Sequence, residues 1–162
     1  MPTVLIPLAQ GCEELEAVTV IDLLRRAGIE VITAGLDDHP VVAARGTRLL
    51  PDATLDTAMQ RDYDMIVLPG GLPGSDNLDK DMRIRALLQR MAQQDKYTAA
   101  ICAAPKVLAS AGVLAGKRVT AFPGVLEKLN LVDDSFPVVL LCKMVKSSLR
   151  VGQARQWISR WN

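Results

Sequence analysis

Apolar positions alternate along the chain between two rhythms. Short, largely apolar runs at Thr3–Leu8, Glu30–Ala34 and Met65–Leu68 predict strands, the last uninterrupted enough to be covered on both faces. Between them, apolar residues three and four apart predict helices. One covers Glu13–Ala27 and closes at Gly28, with Glu16, Val20, Leu23, Leu24 and Ala27 on one face. Another covers Asp81–Gln94, with Ile84, Leu87, Leu88 and Met91 facing inward. Asp37-Asp38-His39-Pro40 reads as a turn, Val41–Ala44 with Arg48–Leu50 as a small hairpin, and Ala53–Gln60 as a short helix. A strand from Tyr97 runs into a helix ending at Gly112, and Arg118–Ala121 predicts a further strand. This β-α-β-α order calls for an α/β fold with a mostly parallel sheet and helices on both sides.

At 162 residues the chain suits one domain with a sizeable core. A net charge of +1 gives no electrostatic reason to expect nucleic acid or a membrane surface as a partner. The N-terminus lacks a signal-peptide pattern and no stretch approaches bilayer length, so a cytoplasmic setting is expected. Cys12, Cys102 and Cys142 are scattered, with no CxxC, which argues against a disulfide framework or a structural metal site. No dinucleotide or Walker fingerprint is present, and no cofactor is expected.

Candidate chemistry centres on Cys102. In Ala99-Ala100-Ile101-Cys102-Ala103-Ala104-Pro105, only small side chains flank the thiol where a strand turns into a helix. That is the composition of a nucleophile elbow, and a helix start beside the sulfur favours thiolate. A buried structural cysteine is the competing reading. Glu16 heads an apolar stripe, where a protonated acid can hydrogen-bond a thiolate and exchange protons with a substrate. A solvated first-turn acid is the alternative there. The loops Ala9–Glu13, Pro69–Ser75 and the Cys102 turn all follow strands, the end at which open parallel sheets bind ligands. Gly70, Gly71 and Ala103 could turn backbone N–H groups toward an oxyanion, although Pro-Gly-Gly is also an ordinary turn sequence. His39 is the only histidine. In a turn before Pro40 it makes a poor catalytic base, which weighs against a Cys-His protease.

Together these segments resemble the ThiJ/PfpI superfamily, in particular its Parkinson-disease protein deglycase branch and the bacterial relatives of that branch. The resemblance rests on Ala9–Val18, Arg25–Ile29, Tyr63–Gly71 and Ala99–Pro105, in the family's order. It implies a flavodoxin-like three-layer sandwich, a homodimer, Cys102 as nucleophile and Glu16 as the acid bonded to it. Gly71 and Ala103 would supply oxyanion N–H groups. Phe122 stands where many members carry a histidine, which suits carbonyl chemistry better than peptide hydrolysis. The implied activity is that of a deglycase or glyoxalase acting on small dicarbonyls and glycated side chains or nucleotides, protective under oxidative stress. The alternatives are a redox-sensing holdase chaperone and, behind it, a peptidase.

The resemblance stops after Leu131, dividing the chain into a family-like domain over 1–131 and an aberrant tail over 132–162. The family's final strand and helix, introduced by T-S-R-G-P-G-T, are missing or altered. Read one nucleotide earlier with allowed synonymous codons, the codons for Lys143–Asn162 can encode D-G-K-I-V-T-S-R-G-P-G-T-A-M-D-F-A-L-E. A frameshift between roughly Asn130 and Lys143 accounts for this ending; a divergent tail is the competing explanation. Resequencing the gene is expected to show that ending in an adjacent frame. Its absence from every nearby frame overturns the frameshift.

Overall fold

The computed structural model describes residues 1–115, 117, 119 and 121–125. Its elements are β1 (Thr3–Leu8), α1 (Glu14–Arg26), β2 (Glu30–Gly35), β3 (Val41–Val42), β4 (Arg48–Leu49) and β5 (Ala53–Thr54). There follow α2 (Leu55–Ala58), β6 (Met65–Leu68), α3 (Gly74–Lys80), α4 (Met82–Gln93), β7 (Tyr97–Ala100) and α5 (Pro105–Ser110). Five strands form a parallel sheet in the order β5-β2-β1-β6-β7, and β3 and β4 make a separate antiparallel hairpin. Because β2 and β6 flank β1 on opposite sides, the chain reverses its direction of winding there. A ligand crevice is expected beside such a strand's carboxyl end.

Strand alternation divides the core into two layers. Val4, Ile6 and Leu8 of β1 pack with Val67 and Ala99 against Ala17, Val20, Ile21 and Leu24 of α1. On the other face Leu5, Ile66, Leu68 and Ala100 meet Leu55, Ile84, Leu87, Leu88, Val107 and Leu108. Each fully buried Leu or Ile contributes about 1.5–3 kcal/mol over an exposed one. This sandwich carries the expected α/β architecture, with most strands within a residue of their sequence limits.

Three local readings change. Ala53 and Thr54, expected at the start of a helix, pair in parallel with Ala34 and Gly35 of β2. The Thr54 hydroxyl then accepts from Thr57 N–H and caps the short α2. The helix α3 has no counterpart in the sequence pattern, since Gly74, Ser75, Asp76 and Asn77 are poor helix formers. The inward face of α1 is centred on Ala17, Ile21 and Leu24, so Leu23 is 48% exposed and Glu16 sits on the stripe's flank. The small Ala17 marks where the helix meets the sheet most closely. The strand expected over Arg118–Ala121 lies partly outside the described residues. Cys142 and the 132–162 tail lie outside them altogether.

Candidate active site

Three loops at the carboxyl ends of β1, β6 and β7 meet, and glycine makes their approach possible. Glu13 N–H donates to Gly70 O at 3.0 Å, and Gly74 N–H to Gly11 O at 3.1 Å. Asn77 Nδ2 donates to Gln10 O at 2.8 Å. A Cβ on Gly71, whose φ is +89°, would lie 2.8 Å from Gly11 O and press on the Glu13 backbone. A Cβ on Gly74 would stand 2.5 Å from Cys12 Cα. Contacts that short are far inside van der Waals separation, so no other residue fits without backbone movement.

The third loop carries the thiol. Ile101 N–H still donates to Leu68 O at 3.2 Å, extending the β6–β7 ladder by one bond. Cys102 then takes φ = +58°, the left-handed region that costs a side-chain-bearing residue of order 1–3 kcal/mol. Pro105 opens α5 at its first turn, where a missing N–H has no cost. Phe122 N–H donates to Cys102 O at 2.8 Å, holding the strained peptide from the far side. This is the backbone of the expected elbow.

The structure brings four of the five sequence-selected residues into contact with the fifth, Cys102. Glu16 Oε2 accepts from Gly70 N–H at 2.8 Å. Glu16 Oε2 and Cys102 Cβ lie together against Gly70, close enough for the carboxyl to act on the thiol, on which the Gly71 and Ala103 N–H groups act in the opposite direction. Gly70 is the correction: its N–H is occupied by Glu16 and is not free for an oxyanion. It holds the acid instead, and a Cβ there would stand 2.7 Å from Glu16 Oε2 and 2.8 Å from Cys102 Cβ. Sequence reasoning had no signal for that role, because it depends on two side chains from other elements.

The electrostatics also correct an expectation. Burial, followed by the neighbouring Glu16 charge and hydrogen bond, raises the Cys102 thiol above its usual value; the Gly71 and Ala103 N–H groups pull the other way. While Glu16 carries its charge, the thiol therefore keeps its proton more readily than a free cysteine does. Cys12 is fully buried, and burial together with the Glu14 charge pushes its thiol up to about 11. His39 is 76% exposed, its Nδ1 3.2 Å from Asp38 Oδ1, partnered in its own turn.

Comparison with known proteins follows the same outline. The model of the DJ-1/PfpI family matches residues 2–160. The chain belongs to the DJ-1/PfpI family. It is 41% identical over 135 residues to protein dj-1beta of Drosophila melanogaster, covering 80% of this chain and 72% of the relative. It is 43% identical over 131 residues to protein DJ-1 homolog B of Arabidopsis thaliana, covering 80% of this chain but only 30% of that longer protein. The glutathione-independent glyoxalase DJR-1.2 of Caenorhabditis elegans is 36% identical over 121 residues, which span 75% of this chain and 64% of the relative. The crystal structure of Drosophila DJ-1beta superposes with a TM-score of 0.78 at 40% identity, covering 83% of this chain and 75% of that one. The family match runs into the segment after Leu131, where the motif resemblance ends.

Limited alkylation with iodoacetamide at pH 8, read by peptide mass spectrometry, is expected to modify Cys102 at least about tenfold faster than Cys12. Equal labelling of the two would contradict the site.

Proposed function

We propose that this protein is a cofactor-independent, cysteine-dependent glyoxalase or deglycase acting on methylglyoxal, glyoxal and their early adducts on protein or nucleotide. The observation that carries the reading is the left-handed Cys102 turn set beside the Glu16 carboxyl at Gly70, with the Gly71 and Ala103 N–H groups acting on the thiol. Membership of a family that includes a glutathione-independent glyoxalase supports it.

Cys102 gives its proton to Glu16 as its sulfur attacks the aldehyde carbon of methylglyoxal. The C=O electron pair moves to oxygen, which takes a proton back from Glu16, giving a hemithioacetal. The Gly71 and Ala103 N–H groups face the developing oxyanion. Glu16 then removes the proton from the former aldehyde carbon and returns it to the adjacent carbon, while the hemithioacetal hydroxyl proton passes to the ketone oxygen. The first carbon is oxidised to a thioester while the second is reduced to an alcohol, so no external oxidant or reductant is required. Water cleaves the thioester, releasing lactate and restoring the thiol. On a glycated side chain the Cys102 sulfur displaces the adduct at its carbinol carbon: the C–N or C–S bond breaks as the leaving amine, guanidine or thiol takes the thiol's proton by way of Glu16, giving the same hemithioacetal. We carry the homodimer in the same proposal; exposed Leu15, Val18 and Leu23 on α1 support it.

A second reading is a redox sensor in which Cys102 is oxidised to sulfinate. The same acid and N–H groups favour it, being suited to hold sulfinate oxygens, and an oxidised DJ-1 from Toxoplasma gondii is a structural relative at TM-score 0.78. Lactate formation from methylglyoxal separates the two readings. The native chain is expected to form it, Cys102→Ser to abolish it, and Glu16→Gln to lower kcat by roughly 10²–10⁴. Undiminished turnover in Cys102→Ser overturns the enzyme, and peroxide-dependent protection of client proteins without turnover establishes the sensor instead.

A further inference from the structure

The two N–H groups at the Cys102 sulfur come from different loops. Gly71 belongs to the loop entering α3, and Ala103 to the turn entering α5. Below those loops α3 and α5 pack against each other. From the first turn of α5, Lys106 Nζ forms an ion pair with Asp76 Oδ1 in the first turn of α3. The Lys106 side chain is only 20% exposed and that of Asp76 44%. Lys106 follows Cys102 by four residues and Asp76 follows Gly71 by five, so the pair joins the two donor-bearing segments about one turn below the sulfur. Among the described residues the β6–β7 ladder ends at Ile101 N–H to Leu68 O, and beyond it the loops are braced by contacts such as Phe122 N–H to Cys102 O and Ser75 N–H to Gly71 O.

We propose that the Lys106–Asp76 ion pair is a positioning clamp that sets the separation of the Gly71 and Ala103 donors, and through them the ionisation and turnover of Cys102. Neither side chain needs to touch substrate. This rests on the glyoxalase reading for its catalytic consequence. Its consequence for the thiol stands independently. Oxyanion donors act through fixed geometry, and a displacement of about 1 Å can cost up to about 10²-fold in rate.

Asp76→Asn is the decisive variant, because the clamp and simple electrostatics call for opposite signs. Glu16 of α1 is the charge that raises the thiol, while Asp76 and Lys106 are the charged residues of the first turns of α3 and α5. Loss of the Asp76 charge by itself favours thiolate and lowers the pH midpoint of Cys102 alkylation. Release of the clamp withdraws N–H groups from the sulfur and raises that midpoint. The full-length protein carrying Asp76→Asn is expected to show a raised midpoint, together with a roughly three- to tenfold lower kcat on methylglyoxal and KM changed less than about twofold. The exchanged pair, Asp76→Lys with Lys106→Asp, is expected to return the midpoint and kcat most of the way to native values. A midpoint that falls or does not move in Asp76→Asn overturns the clamp, as does an exchanged pair no better than either single variant. Absence of methylglyoxal turnover in the native chain counts against the glyoxalase reading alone, since the alkylation midpoint still decides the clamp.

Discussion

The backbone of Gly70 is bonded through both its N–H and its C=O to the beginning of α1. Its carbonyl accepts from Glu13 N–H at 3.0 Å and its N–H donates to Glu16 Oε2 at 2.8 Å. One loop residue therefore fixes both the entry of the helix and the direction of the acid it carries. The contact exists because Gly70 has no side chain: the space a Cβ would take is occupied by Glu16 Oε2, Cys102 Cβ and Ile101 O. The left-handed turn at Cys102 matters because it lifts the sulfur toward that acid. Without Gly70 at this point the elbow would present its thiol to a differently placed carboxyl.

The sheet beneath contributes registry. β6 and β7 pair in parallel from Met65↔Tyr97 to Leu68↔Ala100, so their loops leave the sheet at the same level. β1 pairs with the opposite side of β6, which puts the Gly11–Glu13 loop next to Gly70. Three loops distant in sequence thus converge where the winding reverses, and the two-layer core holds their strand ends in place. The candidate site lies at that convergence and not in the sheet itself.

Much of this was legible before any coordinates. β1 and β6 stand out because their residues are buried on alternate faces of one sheet, and α4 because Ile84, Leu87, Leu88 and Met91 keep helical spacing. Local composition marks Cys102 and Glu16 as candidates, each with a structural alternative, and only the family resemblance chooses between the readings. What stayed hidden depends on partners from elsewhere. Two-residue β5 is a strand only because β2 offers an open edge to Ala53 and Thr54. The α1 face was misjudged by a fraction of a turn because Leu15, Val18 and Leu23 are apolar yet exposed. Gly70 looked like an oxyanion donor until Glu16 was found on its N–H. The sign of the Cys102 shift followed from the same neighbour, whose charge offsets the two backbone donors.

The most direct test of this account is methylglyoxal turnover by Gly70→Ala, measured on protein whose circular dichroism confirms that it is folded. The added methyl must displace Glu16 or the Cys102 turn. The account therefore gives a loss of at least about tenfold in kcat with the fold retained. Native turnover in folded Gly70→Ala would show that the acid and thiol do not depend on this close approach, and would contradict the central claim.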